Sequence, residues 1–332
     1  MSTAKVLAMM SRSLDRSEFE ALLREPALRA DVGPGTPWPA VVTLLGDSDP
    51  ALSAAVQELP CPVVGVGEGP LQDACDVVVR SVTDAAPLFD NAMATPLAAM
   101  VLVQQLRLST TLPTASALIA ESLAFATLQM GPEFCAWRAA HRKKPCAPQP
   151  LESQLLVERR EDSLHLRLNR PARGNAIGVS LRDALCATLE AAQCDDSIRH
   201  VHLEGSGSHF CAGGDLDEFG LAPDPATAHW VRTQRFPGAW LAQFGDRLSC
   251  RVQGAAVGAG IELAAFASTI RAAPDAWFQL PELRYGLIPG AGGTVSLPRR
   301  IGRQRTAYLA LSMTQLDAEG ALNWGLIDAI EH

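Results

Sequence analysis

The sequence predicts an α/β protein in which short strands alternate with helices. Residues 163–169 alternate apolar and polar side chains with a period of two, which is typical of a half-buried strand. Residues 180–192 repeat apolar side chains at helical spacing, and residues 200–204 predict another strand. This alternation of strand and helix favours the α/β class.

Two glycine-rich turns stand out in the second half of the chain. Residues 209–216 follow the strand at 200–204, and residues 254–260 connect a predicted strand at 248–257 to a predicted helix at 261–268. Because glycine allows positive φ and close approach, two such turns can aim two backbone N–H groups at one oxygen. The second turn also precedes a helix, whose N-terminus favours a developing negative charge.

Two glutamates accompany the second turn. Glu262 lies in the first turn of the predicted helix, and Glu282 follows Pro281 twenty residues later. Two carboxylates beside two N–H donors are suited to acid–base chemistry on a carbonyl compound. Taken singly, each has a simpler explanation, since the helix dipole stabilises an acid at Glu262 and Glu282 by itself is a loop acid.

Four other polar residues beside these motifs are not predicted to be catalytic. Asp215 is predicted to cap the helix that it opens rather than to act as an acid. Cys211 is predicted to be a small buried packing residue, because spacing assigns no His and Asp or Asn partners to it. His209 and Tyr285 are predicted to be pocket wall or surface.

Composition and charge limit the classes of function. The 332 residues suffice for one large or two ordinary domains, and 48% hydrophobic with 19% charged residues is typical of a globular protein with a sizeable core. A formal net charge of −8 argues against a nucleic-acid partner. Eight isolated cysteines without a CxxC pair indicate reduced thiols and no metal site, and we expect no membrane span and a cytoplasmic location.

A basic, proline-rich stretch at residues 142–150 predicts a boundary between domains 1–145 and 151–332. The first half contains its own predicted elements: strands at 41–45 and 62–66, and helices at 96–106 and 115–130. Residues 59–69 echo the strand and glycine turn of residues 248–258, but no glutamate follows at the position that corresponds to Glu262, and no Pro-Glu pair follows at the spacing of Pro281-Glu282. We interpret the first half as a degenerate, partly helical copy of the second without catalytic residues, and chance similarity is the alternative.

Five motifs of the second half, taken in order, are similar to those of one enzyme family. They are Leu168-Asn-Arg-Pro171 with Asn175-Ala176, Phe210-Cys-Ala-Gly-Gly-Asp-Leu216, Gln253-Gly-Ala-Ala-Val-Gly-Ala-Gly-Ile-Glu-Leu-Ala264, Leu280-Pro-Glu-Leu-Arg-Tyr-Gly-Leu-Ile-Pro-Gly-Ala-Gly-Gly-Thr294 and Gly325-Leu-Ile-Asp328. On these motifs, residues 151–332 resemble the enoyl-CoA hydratase/isomerase (crotonase) family.

The resemblance implies a fold and a set of site residues. The fold would be a spiral of β-β-α turns that binds an acyl-CoA and stabilises the enolate of its thioester. The oxyanion donors would be the backbone N–H groups of Gly214 and Ala259, the second of which is usually glycine in the family. Further substrate contacts are expected near four small residues, Ala176, Ala212, Gly213 and Gly258.

The resemblance also implies a reaction, because family members that hydrate a 2-enoyl thioester hold a water between glutamates at the positions of Glu262 and Glu282. Retention of both favours hydration of a 2-enoyl-CoA, or the reverse dehydration, in fatty-acid metabolism. Two alternatives are an enoyl-CoA isomerase or other enolate reaction, and a non-catalytic acyl-CoA-binding or assembly subunit. The expected partner is an acyl-CoA thioester, with no cofactor beyond its coenzyme A, and the expected assembly is a homotrimer or hexamer.

The sequence departs from the family pattern after Asp328, because a typical member continues with helices that cover the active site and this sequence stops at His332. The apolar helical stretch at residues 96–137 resembles that missing region. We therefore expect the helices of the first half to pack on the catalytic half, of the same or a neighbouring subunit, as such a cover. The alternative is an appended domain that never meets the active site.

Overall fold

The structure is a computed structural model that describes residues 13–14, 41–43, 50–142 and 154–331. The helices are α1 (Pro50–Glu58), α2 (Val82–Ala94), α3 (Pro96–Ser109), α4 (Thr114–Leu128), α5 (Pro132–Ala140), α6 (Val179–Gln193), α7 (Pro225–Gln234), α8 (Pro237–Leu241), α9 (Ala259–Ala264), α10 (Gly293–Ile301), α11 (Arg303–Ser312) and α12 (Ala318–Trp324). The strands are β1 (Ser13–Leu14), β2 (Val41–Thr43), β3 (Val64–Val66), β4 (Val77–Val79), β5 (Leu155–Arg160), β6 (Ser163–Leu168), β7 (His200–Gly205), β8 (Leu248–Val252), β9 (Ala255–Val257), β10 (Thr269–Ala272), β11 (Trp277–Gln279), β12 (Leu316–Asp317) and β13 (Ala329–Ile330).

The second half is wound as a spiral in which successive turns add one strand to each of two sheets. β8 and β10 are parallel neighbours in a six-stranded sheet of order β13-β10-β8-β7-β6-β5. β9 and β11, which follow them in the chain, are parallel neighbours in a three-stranded sheet of order β12-β11-β9. A helix ends each turn, α9 after β9 and α10 after β11. The predicted α/β class and β-β-α spiral are therefore confirmed for this half.

The strand predicted over residues 248–257 is divided in two, which corrects that prediction. Gly254 has a φ of 53°, and a Cβ at this position would collide with the carbonyl oxygen of Ser208. The chain therefore turns at Gly254, and β8 and β9 enter different sheets. The helix predicted over 261–268 is also displaced, since α9 begins at Ala259 and ends after six residues.

The described residues of the first half form a four-stranded parallel sheet, of order β1-β2-β3-β4, with α1 between β2 and β3 and the helices α2–α5 after β4. The predicted strands at 41–45 and 62–66 correspond to β2 and β3, and the predicted helices correspond to α3 and α4. The degenerate duplication and the two-domain division stay predictions, and most of the predicted boundary at 142–150 lies outside the described residues. Among those described, no single helix is long and apolar enough to cross a membrane, although α2 and α3 together reach such a length across a bend of 112°.

The helices of the first half cover the second half of the same chain. α3 and α4 contact α10, α2 contacts α11, and α4 also contacts α7. Side chains from both halves form one hydrophobic core, in which Leu102, Leu106 and Phe134 pack in the same cluster as Leu297 and Leu309. The expectation that these helices pack on the catalytic half is thus confirmed within one chain.

A buried ion cluster centred on Asp76 also joins the two halves. Asp76 is 1% exposed and its Oδ1 accepts from Arg107 Nε and Arg303 Nη1, each at 2.9 Å. Its Oδ2 accepts from the backbone N–H of Val63 at 2.9 Å. Because Asp76 immediately precedes β4 and Arg303 begins α11 of the second half, this carboxylate ties the two halves together through charge-assisted hydrogen bonds.

Candidate active site

A cavity of about 470 Å³ lies where the two halves meet. Phe125 and Gln129 of the first half line it together with residues of both glycine turns. From the second half its walls include Ala212, Gly213, Gly214, Gly258, Ala259, Glu262 and Glu282. Ala176 is buried beside the cavity rather than in its wall, and the next residue, Ile177, lines it. The structure thus brings seven of the eight predicted site residues to one cavity.

The two glycine turns lie side by side. The N–H of Cys211 donates to the carbonyl oxygen of Ala255 at 3.0 Å, and the N–H of Val257 donates to that of Cys211 at 2.9 Å. These bonds place Gly213 against Gly258. Within the described ranges, the N–H groups of Gly214 and Ala259 donate to no backbone or side-chain acceptor. Two unoccupied donors on adjacent turns are what an oxyanion hole requires, and that role stays a prediction.

Glu262 is held by backbone N–H groups of the turn that leads into the first residues of α10. Its Oε2 accepts from the N–H groups of Ala291 at 2.6 Å and Gly293 at 2.8 Å. The side chain is only 2% exposed, and burial raises the pKa of Glu262 well above its usual range, with further contributions from the charges of Glu282 and Glu121. The two N–H donors act in the opposite direction because they favour the carboxylate form.

Glu282 occupies a contrasting environment. It begins a short 3-10 turn, Glu282–Tyr285, and its Oε2 is buried without a hydrogen-bond partner among the described residues. Burial raises the pKa of Glu282 to about 8; a hydrogen bond from its own backbone N–H opposes that rise, and the charge of Glu121 adds to it. A buried carboxyl oxygen without a donor favours the neutral acid. We therefore place the proton that this coupled pair retains near neutral pH on Glu282, and the negative charge on Glu262.

Two further charged residues at the site were not predicted from sequence. Glu121 on α4 is fully buried and accepts from Gly292 and Thr294, and Arg232 on α7 lies with Nη2 3.8 Å from its Oε1. The available signal was that Glu121 is the single charged residue between Arg107 and Glu133. An isolated acid in an apolar helix is typical of a buried, partnered carboxylate.

The four residues that were predicted to be non-catalytic differ in what they contact. Asp215 accepts from Asp217 N at 3.3 Å, which confirms the cap, and it also pairs with Arg170 and Arg173. Cys211 is fully buried, and burial raises the pKa of its thiol to about 12, as expected for a packing residue. His209 Nδ1 accepts from Ala255 N at 3.2 Å, whereas Tyr285 lines the cavity.

Substitution of Gly258 by alanine is expected to lower kcat by about 100-fold. Gly258 has a φ of 49°, and an added Cβ would lie 2.5 Å from Glu282 Oε1, so the carboxyl group has to move. The control for positive φ is Gly325→Ala, where φ is 76° in the left-handed helical region and the space around an added Cβ is open. That variant carries the backbone strain alone, about 1–2 kcal/mol of stability, with unchanged kcat. Equal kcat values for the two variants would show that the contact between the added Cβ at position 258 and Glu282 Oε1 does not affect catalysis. Steady-state assays with thermal unfolding measure both.

Comparison with known proteins identifies the family to which the chain belongs. The sequence model of the enoyl-CoA hydratase/isomerase family matches residues 158–331. The chain is 38% identical over 178 residues to the 2,3-dehydroadipyl-CoA hydratase of Escherichia coli, an overlap that covers 54% of this chain and 69% of that relative. It is 40% identical over 166 residues to the 1,2-epoxyphenylacetyl-CoA isomerase of the same organism, covering 49% and 63%. A solved enoyl-CoA hydratase/isomerase from Marinobacter aquaeolei superposes with a TM-score of 0.50 at 26% identity, over 54% of this chain and 70% of that one.

The two sequence matches span about two thirds of each relative, and the family model matches the second half of this chain. The chain belongs to the enoyl-CoA hydratase/isomerase family. Its second half has the crotonase fold, and the family acts on coenzyme A thioesters.

Proposed function

We propose that this protein adds water across the double bond of a 2-enoyl-CoA, or catalyses the reverse dehydration. The observation that carries the proposal is the pairing of Glu262 and Glu282, in contrasting hydrogen-bond environments, on the cavity that also holds the unoccupied N–H groups of Gly214 and Ala259. A base, an acid and two anion-stabilising donors then surround one space.

The proposed reaction uses each group once. The thioester oxygen accepts hydrogen bonds from Gly214 and Ala259. Ionised Glu262 removes a proton from water as the water oxygen bonds to Cβ, and the π electrons move through Cα to the thioester oxygen, which becomes an enolate. Neutral Glu282 then gives its proton to Cα, and the electron pair of the enolate forms the new C–H bond. Proton exchange with solvent returns the pair to its starting state. The protons and electrons balance with these groups, so the proposed reaction needs no cofactor beyond the coenzyme A of the substrate.

An isomerase is the second candidate, and the relative that is 40% identical carries that name. An isomerase that moves a double bond forms the same enolate. It transfers a proton at Cγ, where a hydratase adds water at Cβ. Incubation with crotonyl-CoA separates the candidates: loss of the conjugated thioester absorbance indicates hydration. Conversion of a 3-enoyl-CoA without hydration indicates the isomerase, and tight binding without turnover indicates a non-catalytic binding subunit.

The rate of hydration is expected to fall as pH rises through about 8. Burial holds the pKa of Glu282 near that value, so the acid that protonates Cα is present below it and lost above it. Measurement of kcat/KM for crotonyl-CoA between pH 6 and 9.5 checks this expectation. A profile that stays flat to pH 9.5 would exclude Glu282 as the proton donor.

A further inference from the structure

One turn holds two carboxylates through four consecutive backbone N–H groups. Ala291 and Gly293 donate to Glu262 Oε2, as described above. Between and after them, Gly292 donates to Glu121 Oε1 at 2.8 Å and Thr294 donates to Glu121 Oε2 at 2.9 Å. The N–H groups of residues 291–294 therefore alternate between an acid of the second half and an acid of the first half.

The contacts of Glu121 favour a carboxylate that carries charge. It is fully buried, and Thr294 Oγ1 adds a third donor at 2.7 Å. Arg232 is the cation beside it, at 3.8 Å, and its guanidinium stacks over Phe125 at 4.5 Å. Burial raises the pKa of Glu121, and Arg232 with the three donors opposes that rise. Three hydrogen bonds directed at one buried group favour its ionised form.

We propose that Glu121, which the first half of the chain contributes, is a positioning residue for Glu262: it fixes the 291–294 turn so that two of its N–H groups hold the Glu262 carboxylate in place. This inference rests on the proposed function, in which Glu262 is the base. An enzyme whose catalytic carboxylate is misplaced by about 1 Å can lose about 100-fold in rate. Because Glu121 fixes the turn that holds Glu262, it influences kcat without touching substrate.

Glu121 also acts through its charge. The ionisable groups near Glu121 are Glu262, Glu282 and Arg232. His229 of α7 is also close, since its Nδ1 lies 3.0 Å from the Oγ of Ser122, the residue after Glu121. The negative charge of Glu121 contributes to the raised pKa of both Glu262 and Glu282. Removal of that charge lowers both pKa values, so the pair loses its proton at a lower pH.

The test is Glu121→Gln in the full chain, assayed with crotonyl-CoA across pH. We expect kcat to fall about 10- to 100-fold with KM within about threefold, and the alkaline limit of kcat/KM to move down by about one pH unit. The matched control is Glu133→Gln. Glu133 likewise accepts two backbone N–H groups, of Leu97 at 2.7 Å and Ala98 at 3.0 Å, but does not line the cavity. That variant should keep the wild-type pH profile.

A second measurement separates this inference from the proposed reaction. Infrared titration follows the C=O band of protonated carboxyl groups without any turnover. If the wild type does not hydrate crotonyl-CoA but the band that persists above pH 7 is lost at lower pH in Glu121→Gln, the hydratase proposal fails while the effect of the Glu121 charge on the pair of glutamates stands. If Glu121→Gln only unfolds at lower temperature, with kcat, pH limit and band unchanged, Glu121 is structural and the inference is wrong.

Should Glu121→Gln fail to fold, Glu121→Asp tests the same point. Aspartate keeps the charge but withdraws the carboxylate by one methylene group. The expected result is a kcat about tenfold lower with the alkaline pH limit retained, since position is lost and charge is kept. A folded Glu121→Asp protein with wild-type kcat would overturn the inference.

Discussion

Replacing Glu282 by glutamine is expected to lower kcat for hydration of crotonyl-CoA by about 1,000-fold while leaving acyl-CoA binding within a few-fold. Glutamine preserves the shape of the side chain but has no acidic proton to give to Cα. The buried Oε2 of Glu282 has no hydrogen-bond partner among the described residues, so the amide that replaces it breaks no existing bond there. Loss of the conjugated thioester absorbance measures kcat, and calorimetry measures binding.

The control for this variant is Glu319→Gln, which changes an exposed glutamate of α12 outside the cavity. It should have wild-type kcat. If Glu282→Gln keeps more than about a tenth of the wild-type kcat, Glu282 is not the proton donor, because positioned acid–base groups typically contribute at least about 100-fold.

The second large effect is expected on stability. Asp76→Asn should lower the free energy of unfolding by about 3–5 kcal/mol, because it leaves the guanidinium groups of Arg107 and Arg303 without their buried counter-charge. Urea unfolding, followed by tryptophan fluorescence, measures the change. We expect the loss to be accompanied by reduced activity, since Asp76 ties the covering half to the half that carries the glutamates.

Asp73→Asn is the matched control for Asp76→Asn. Asp73 lies three residues earlier and its side chain is exposed, while only its carbonyl oxygen accepts from Arg303. An exposed substitution of this kind normally changes stability by less than about 0.5 kcal/mol. A similar small change for Asp76→Asn would show that the ion cluster contributes little to holding the halves together.

Much of the catalytic half could be predicted because its determinants are local. Period-two alternation at residues 163–169 predicted β6, and the glycines at 213, 214 and 258 predicted two turns that the structure places side by side. The same local reasoning failed at Gly254. The pattern of residues 248–257 predicts one strand, whereas the collision that a Cβ added to Gly254 would make with Ser208, more than forty residues earlier, requires a turn there.

The third carboxylate at the site could not be predicted from local pattern. Glu121 meets its partners Gly292 and Thr294 only through tertiary packing, across separations of 171 and 173 residues. Helical periodicity places Glu121 on α4 but does not identify the surface on which α4 packs. Glu262 and Glu282 differ likewise in their hydrogen bonds, because Oε2 of Glu262 accepts two backbone N–H groups and Oε2 of Glu282 accepts none among the described residues. Only the folded chain determines which carboxyl oxygen meets a donor.

Residues from both halves of a single polypeptide line the cavity. Phe125 of α4 and Gln129, which follows that helix, line the same space as Gly214 and Glu282, and all four lie in one chain. Because these walls come from one chain, Phe125 and Gln129 reach the cavity in every copy of the protein without a neighbouring subunit. We therefore expect the rate per mole of protein to be independent of protein concentration, so that dilution which separates subunits leaves each one catalytically competent.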